Sequence, residues 1–225
     1  MNKVNYQKEL EKIIADPMSD GKRLFLHCCC APCSSYCLTY LADHFKITAF
    51  YYNPNITISS EYEKRVNEEE RLINILNSSG KLKYEIDLVK GRYEPEVFLE
   101  AVKGHEEDKE GTERCFICYA LRLNEAAFLA FKGGFDYFTT TLTISPLKNA
   151  EKLNEIGRMC GEKYGVRFLP SDFKKNEGYK RSIELSKEYD LYRQNYCGCE
   201  FSKKETVKKD ERAGLHNFRR NEEGV

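Results

Sequence analysis

Short apolar runs alternate with longer amphipathic stretches along most of this chain, and that alternation limits the folds open to it. Leu24–His27, Ile47–Tyr52, Leu82–Val89, Phe135–Leu142 and Val166–Leu169 read as strands. Between them, residues 34–45, 60–76, 113–131, 149–164 and 177–189 read as helices, and Val4, Leu10, Ile13 and Ile14 predict one more over residues 1–16. Asn53-Pro54-Asn55, Ser78-Ser79-Gly80 and Gly133-Gly134 supply the breaks. Strand and helix in strict alternation is the pattern of a parallel sheet covered on both faces. The expected fold is therefore α/β, a Rossmann-like parallel sheet with helices on both faces, plus a C-terminal cysteine-bearing extension. One domain is expected over residues 1–201, followed by a highly charged tail over 202–225 in which disorder is expected.

The chain has 225 residues, enough to bury a core without cross-links. No stretch of roughly 18 apolar residues exists, so no membrane association is expected. The N-terminus, Met1-Asn2-Lys3-Val4-Asn5, lacks the apolar segment of a secretion signal, which predicts a cytoplasmic protein. In a reducing compartment ten cysteines point to metal binding or redox chemistry rather than to structural disulfides. The net charge is zero, so binding to nucleic acid would require a local basic patch.

The cysteines fall into groups. Cys28-Cys29-Cys30-Ala31-Pro32-Cys33 occupies the turn between the first strand and the following helix, and in such sheets ligands lie beyond the carboxyl ends of the strands. Cys115 and Cys118 are three apart at a helix start, which places both sulfurs on one face, and the helix N-terminus is expected to favour their thiolates. Two such pairs supply the four soft thiolates that an iron–sulfur cluster requires, and zinc accepts the same donors. Cys28 reads either as a ligand or as a core residue at the strand end. Cys37 and Cys160, isolated on helices, read as buried apolar residues. Cys197-Gly198-Cys199 is different in kind: glycine permits a tight turn in which two thiols form a labile disulfide or share a metal.

The order of the motifs resembles a known family. His27-x-Cys29-Cys30-Ala31-Pro32-Cys33, Tyr51-Tyr52-Asn53-Pro54-Asn55-Ile56, Arg114-Cys115-x-x-Cys118-Tyr119-x-x-Arg122-Leu123, Thr140-Thr141-Leu142 with Ser145-Pro146, Pro170-Ser171-Asp172-Phe173-Lys174-Lys175 and Tyr192-Arg193-Gln194-x-Tyr196-Cys197-Gly198-Cys199 are similar to the cobalamin-independent epoxyqueuosine reductases, the QueH family. The resemblance covers residues 23–201. It implies the last step of queuosine biosynthesis, two-electron reductive removal of the epoxide oxygen from epoxyqueuosine at the anticodon wobble position of tRNA. It further implies a 4Fe-4S cluster on Cys29, Cys30, Cys115 and Cys118, a redox-active or metal-binding pair at Cys197 and Cys199, and an external electron donor. Some relatives carry an aspartate where this chain has Cys33. If that position holds an additional mononuclear iron, Cys33 would serve here, with Cys197 and Cys199. Cys28 is an extra thiol beside the pair and leaves the register of the ligands among Cys28, Cys29 and Cys30 open.

His27, Tyr119, Asp172 and Tyr196 are the candidates for delivering protons to the leaving oxygen, and His27 reads equally as a hydrogen-bond partner behind the ligands. Arg65, Arg114, Arg122, Lys148, Lys174, Lys175, Lys180 and Arg181 are candidate phosphate contacts. Tyr51, Tyr52, Phe173 and Tyr179 are candidates for stacking on an unpaired base. Two other readings compete: an ATP-using tRNA thiolation enzyme and a zinc-stapled RNA-binding module. The first needs a glycine-rich phosphate loop after the first strand, where this chain has no glycine. The second is distinguished by metal and colour.

Overall fold

The computed structural model describes residues 4–207. In chain order its main elements are helix α1 (Tyr6–Ile14), strand β1 (Lys22–Cys28), α2 (Ala31–Leu41), β2 (Phe45–Tyr51), α3 (Ser59–Ser78), β3 (Asp87–Lys90), α4 (Pro95–Ala101), α5 (Glu113–Lys132), β4 (Tyr137–Thr140), α6 (Ala150–Tyr164), β5 (Arg167–Phe168) and α7 (Gly178–Glu188). The five strands form one sheet in the order β3-β2-β1-β4-β5, and every pairing is parallel. The expected α/β architecture is present.

Alternation along β1 divides the interior into two layers. Leu24, Leu26 and Cys28 face one way, packing with Ile47, Ala49 and Tyr51 of β2 against Leu38 and Leu41 of α2 and Leu72, Ile73 and Leu76 of α3. Phe25 faces the other way, with Phe50 and Phe138 against Leu123, Ala126 and Ala127 of α5 and Leu153 and Ile156 of α6. Leu24 and Leu26 have no exposed surface, and each contributes about 2 kcal/mol of hydrophobic stabilisation. With a core layer on each side, β1 reads as a continuous apolar run rather than an alternating one.

Several boundaries differ from the expected ones for local reasons. The third strand begins at Asp87 rather than at 82. The Asn77 side chain accepts from Ile86 N and donates to Ile86 O, both at 3.0 Å, and holds that stretch off the sheet. The fourth strand stops at Thr140, whose hydroxyl accepts from Leu142 N at 3.1 Å and caps a 3₁₀ turn over Thr141–Ile144. Helix α2 begins at Ala31, three residues before the expected start, because Pro32 is tolerated in a first helical turn. Helix α4 was not expected at all. The domain boundary expected at 201 falls inside a helical stretch, 200–207; the remainder of the expected charged tail lies outside the described residues. No helix among the described residues is long and apolar enough to cross a membrane.

Candidate active site

The chain runs from β1 to β2 on one side and returns to β4 on the other, so β1 and β4 flank the point where strand order reverses. Beyond their carboxyl ends lies the crevice in which open α/β sheets bind ligands. Cys28 ends β1 in the core, Cys29 and Cys30 form the turn, and Cys33 comes back over it from the first turn of α2. The sulfurs of Cys29, Cys30 and Cys33 lie within 4.8 Å of one another. Thr141, on the turn after β4, accepts from Cys29 N at 3.2 Å and donates to Cys29 Sγ at 3.3 Å. The Cys29 and Cys33 thiols both point hydrogen-bonding capacity at Cys30, which holds Cys30 well below the ordinary thiol range and pushes the other two up.

The α5 cysteines approach from the other side. Gly111 N donates to Cys115 Sγ at 3.2 Å, and Cys118 is buried against Phe98, Val102, Cys199 and Phe201. The expected lowering of these thiols by the helix N-terminus is overridden: burial raises Cys115 and pushes Cys118 up to about 12. Cys115, Cys118, Cys197 and Cys199 line a narrow cavity of about 10 Å³. Cys29, Cys30, Cys33 and Cys197 line an adjoining cleft of about 340 Å³ that opens to the surface past Tyr179, Arg193 and Tyr196. Glu110, Arg122, Lys148 and Cys197 belong to both and form the boundary between them.

Three buried cations organise the Cys197-Gly198-Cys199 turn and its surroundings. Arg65 pairs with Glu61 at 2.7 Å and donates to Cys197 O at 3.0 Å. Lys148 Nζ lies 2.8 Å from Glu110 Oε1 and 3.3 Å from Cys197 Sγ. Burial alone would lower its pKa, but Cys197 and Glu110 hold it well above the ordinary lysine value. Arg114 pairs with Glu205 at 3.0 Å, tying the 200–207 helix to the start of α5. Gly198 sits at φ +127°, and a Cβ there would meet Ile56 Cγ1 at 2.8 Å. All ten cysteines are free thiols, so Cys197 and Cys199 do not form a disulfide in this structure. Ser202 N donates to Cys199 Sγ at 3.4 Å.

Other expected site residues are placed elsewhere. His27 is fully buried behind the turn: Nε2 lies 3.0 Å from Tyr52 O and Nδ1 2.8 Å from Thr140 Oγ1. A carbonyl only accepts, so Nε2 carries the proton and the Thr140 hydroxyl donates to Nδ1. Burial pushes the imidazole down to about 3. His27 therefore has no proton free for a ligand and instead fixes the ends of β1 and β4. Asp172 lines neither cavity; its Oδ1 lies 2.7 Å from Lys174 Nζ. Tyr119 has a buried hydroxyl with no hydrogen-bond partner on the narrow cavity, and Tyr196 lines the cleft.

The expected phosphate and base contacts divide by burial. Arg65, Arg114, Arg122 and Lys148 are buried and belong to the site rather than to a surface patch. Tyr51, Tyr52 and Phe173 are core residues and cannot stack on an incoming base, whereas Tyr179 is partly exposed at the cleft mouth. Lys175, Lys180 and Arg181 are exposed. Sequence reasoning missed Thr141 and Glu110 as site residues. It also missed Glu69, a fully buried carboxyl on α3 whose oxygens have no hydrogen-bond partner. Arg122, expected as a phosphate contact, is instead buried beside the thiols; its spacing, one helical turn after Cys118, is the signal that could have placed it there.

Comparison with known proteins gives consistent matches. The profile of a family described as epoxyqueuosine reductase QueH matches residues 24–205. The epoxyqueuosine reductase QueH of Staphylococcus epidermidis is 41% identical over 226 residues, covering 96% of this chain and 94% of the relative. That of Streptococcus pyogenes is 38% identical over 219 residues, covering 94% and 85%. Among solved structures, the U34-tRNA thiolase NcsA from Methanococcus maripaludis with its 4Fe-4S cluster aligns over 98% of this chain and 79% of that one, at TM-score 0.47 and 11% identity.

Proposed function

This chain belongs to the epoxyqueuosine reductase QueH family and is an oxidoreductase of that activity; from that premise we propose how its residues divide the work. The substrate is epoxyqueuosine at the wobble position of a tRNA anticodon loop. Two electrons from an external donor and two protons cleave both C–O bonds of the epoxide, leaving an alkene and releasing the oxygen as water.

The donor set suits an iron–sulfur group. Every candidate ligand is a thiol, the softest donor a protein offers. A buried guanidinium nitrogen, Arg122 Nη2, and the Tyr119 hydroxyl stand on the same cavity without hydrogen-bond partners, so the site presents positive and donor groups to something anionic. Cys29, Cys30, Cys115 and Cys118 are the residues that would hold a 4Fe-4S cluster, with Cys33 and the Cys197/Cys199 pair available to an additional iron. When bound, the cluster would supply electrons one at a time.

What carries this reading is that the β1-turn cysteines line the cleft, the α5 cysteines line the adjoining narrow cavity, and Cys197 lines both. Lys148 projects a hydrogen-bond donor at that boundary, where it can stabilise negative charge developing on the leaving oxygen. Glu110, 2.8 Å away, keeps the ammonium in place. Tyr179, Arg193 and Gln194 border the cleft and are positioned to orient the nucleoside and limit water.

The test is anaerobic reconstitution with iron and sulfide, metal analysis, and single turnover on tRNA carrying epoxyqueuosine. A brown protein with at least four irons that yields queuosine is expected. A Cys197→Ser, Cys199→Ser double variant should keep the cluster and lose turnover. A colourless zinc protein that binds tRNA without converting it would overturn the assignment.

A further inference from the structure

Among the described residues, four large cations are buried around the cysteines, and only one of them lacks an acidic partner. Arg65 has Glu61, Arg114 has Glu205 and Lys148 has Glu110, at 2.7, 3.0 and 2.8 Å. Arg122 is 1% exposed, and among the described residues no carboxylate lies within ion-pair distance of it. Its hydrogen bonds go to neutral acceptors. Nε donates to Cys118 O at 3.3 Å and Nη1 to Asn53 Oδ1 at 3.3 Å, while Nη2 has no partner. Asn53 in turn donates from Nδ2 to Cys28 O at 2.9 Å. The guanidinium thus connects its own cysteine-bearing helix, through Asn53, to the β1 turn, and belongs to both cavities that the thiols line.

A guanidinium stripped of water and given only neutral acceptors is strongly unfavourable unless an anion completes its surroundings. The structure places thiol sulfurs there, and the one carboxylate lining the same cavities, Glu110, is taken up by Lys148 at 2.8 Å. We propose that Arg122 is the fixed counter-charge of the cluster site and a positioning residue that sets the reduction potential of the cluster. The inference rests on the cluster assignment above. A cluster held by four thiolates is anionic in both redox states and more so when reduced, so a permanent positive charge beside it favours the reduced form and raises the potential. Arginine is suited to this because it does not lose its proton in proteins.

The experiment compares wild type, Arg122→Met, Arg122→Lys and Asn53→Asp after anaerobic reconstitution. Iron content, circular dichroism and an EPR-monitored redox titration are measured on each. In Arg122→Met the ratio of reduced to oxidised cluster at a fixed poise should fall at least tenfold, which is 59 mV for a one-electron couple. Arg122→Lys keeps the charge and should stay within threefold of wild type. Asn53→Asp leaves the arginine in place but neutralises it, and should shift the ratio in the same direction as Arg122→Met.

A loaded Arg122→Met protein with the wild-type potential would overturn the proposal. So would a lysine variant shifted as far as the methionine one. If Arg122→Met folds but holds no cluster, Asn53→Asp decides: a lowered potential, or failure to load where Arg122→Lys succeeds, supports the charge role, and an unchanged potential refutes it. Failure of all three variants to load would mark Arg122 as a packing element and sink the proposal. A wild-type chain that takes up no iron and sulfide would refute the cluster assignment itself, and this inference with it.

Discussion

Glu69 offers a test of how much unpaired polarity this fold tolerates behind its site. The carboxyl is fully buried among α3, α2 and β1, with neither oxygen in a hydrogen bond. Burial pushes its pKa from 4.5 up to about 8, and the neighbouring Ser34 hydroxyl and Cys28 thiol only partly offset this. The folded chain therefore binds a proton that the unfolded chain releases near pH 4.5. A raised carboxyl pKa makes stability fall as pH rises between the unfolded and folded values, by about 1.4 kcal/mol per unit. Between pH 5.5 and 7.5 the loss attributable to Glu69 is about 2–3 kcal/mol, once partial deprotonation near pH 8 is included. Glu69→Gln is neutral throughout and removes this dependence. Urea unfolding of both proteins under anaerobic conditions at the two pH values measures it. The wild type should lose about 2–3 kcal/mol more than the variant on going to pH 7.5, or roughly 5–10 °C in Tm for a chain of this length. Parallel pH profiles for the two proteins would refute the reasoning, since they would mean that Glu69 is ionised in place or solvated by water.

Gly198→Ala combines a backbone angle suited only to glycine with a Cβ contact at 2.8 Å to Ile56, and should cost roughly 1–3 kcal/mol locally. Because the displaced turn carries Cys197 and Cys199, turnover should fall more than tenfold while acid-labile sulfide, which reports the cluster alone, stays at the wild-type value. Cys37→Ala and Cys160→Ala each remove a buried thiol that the site does not include, and should lower stability by about 1–2 kcal/mol. Neither should change the iron and sulfide stoichiometry; loss of iron from either would show that the ligand set has been drawn wrongly.

The helices and strands were legible because their apolar periods are strong, and β1 in particular announces itself as a central strand by four consecutive buried-type residues, Leu24 to His27. Where prediction slipped, a side chain outweighed local propensity: Asn77 clamps Ile86 off the sheet, and Thr140 ends β4 early. The thiols themselves were visible, since spacing alone puts Cys115 and Cys118 on one helical face and three more cysteines in one turn. Their surroundings were not. Nothing in the composition distinguishes Arg122 from Arg181, yet one is stripped of water beside the thiols and the other stands in solvent on α7. Likewise His27 reads as a candidate acid until Tyr52 O and Thr140 Oγ1 are seen to occupy both of its nitrogens. The sequence by itself determined the chemistry the chain carries, because residue types and short spacings are local properties. The tertiary structure decided which charges are desolvated, which polar atoms lack partners and which thiols share a cavity, because those depend on residues brought together from 38 to 132 positions apart, as at Lys148–Glu110 and Arg65–Cys197.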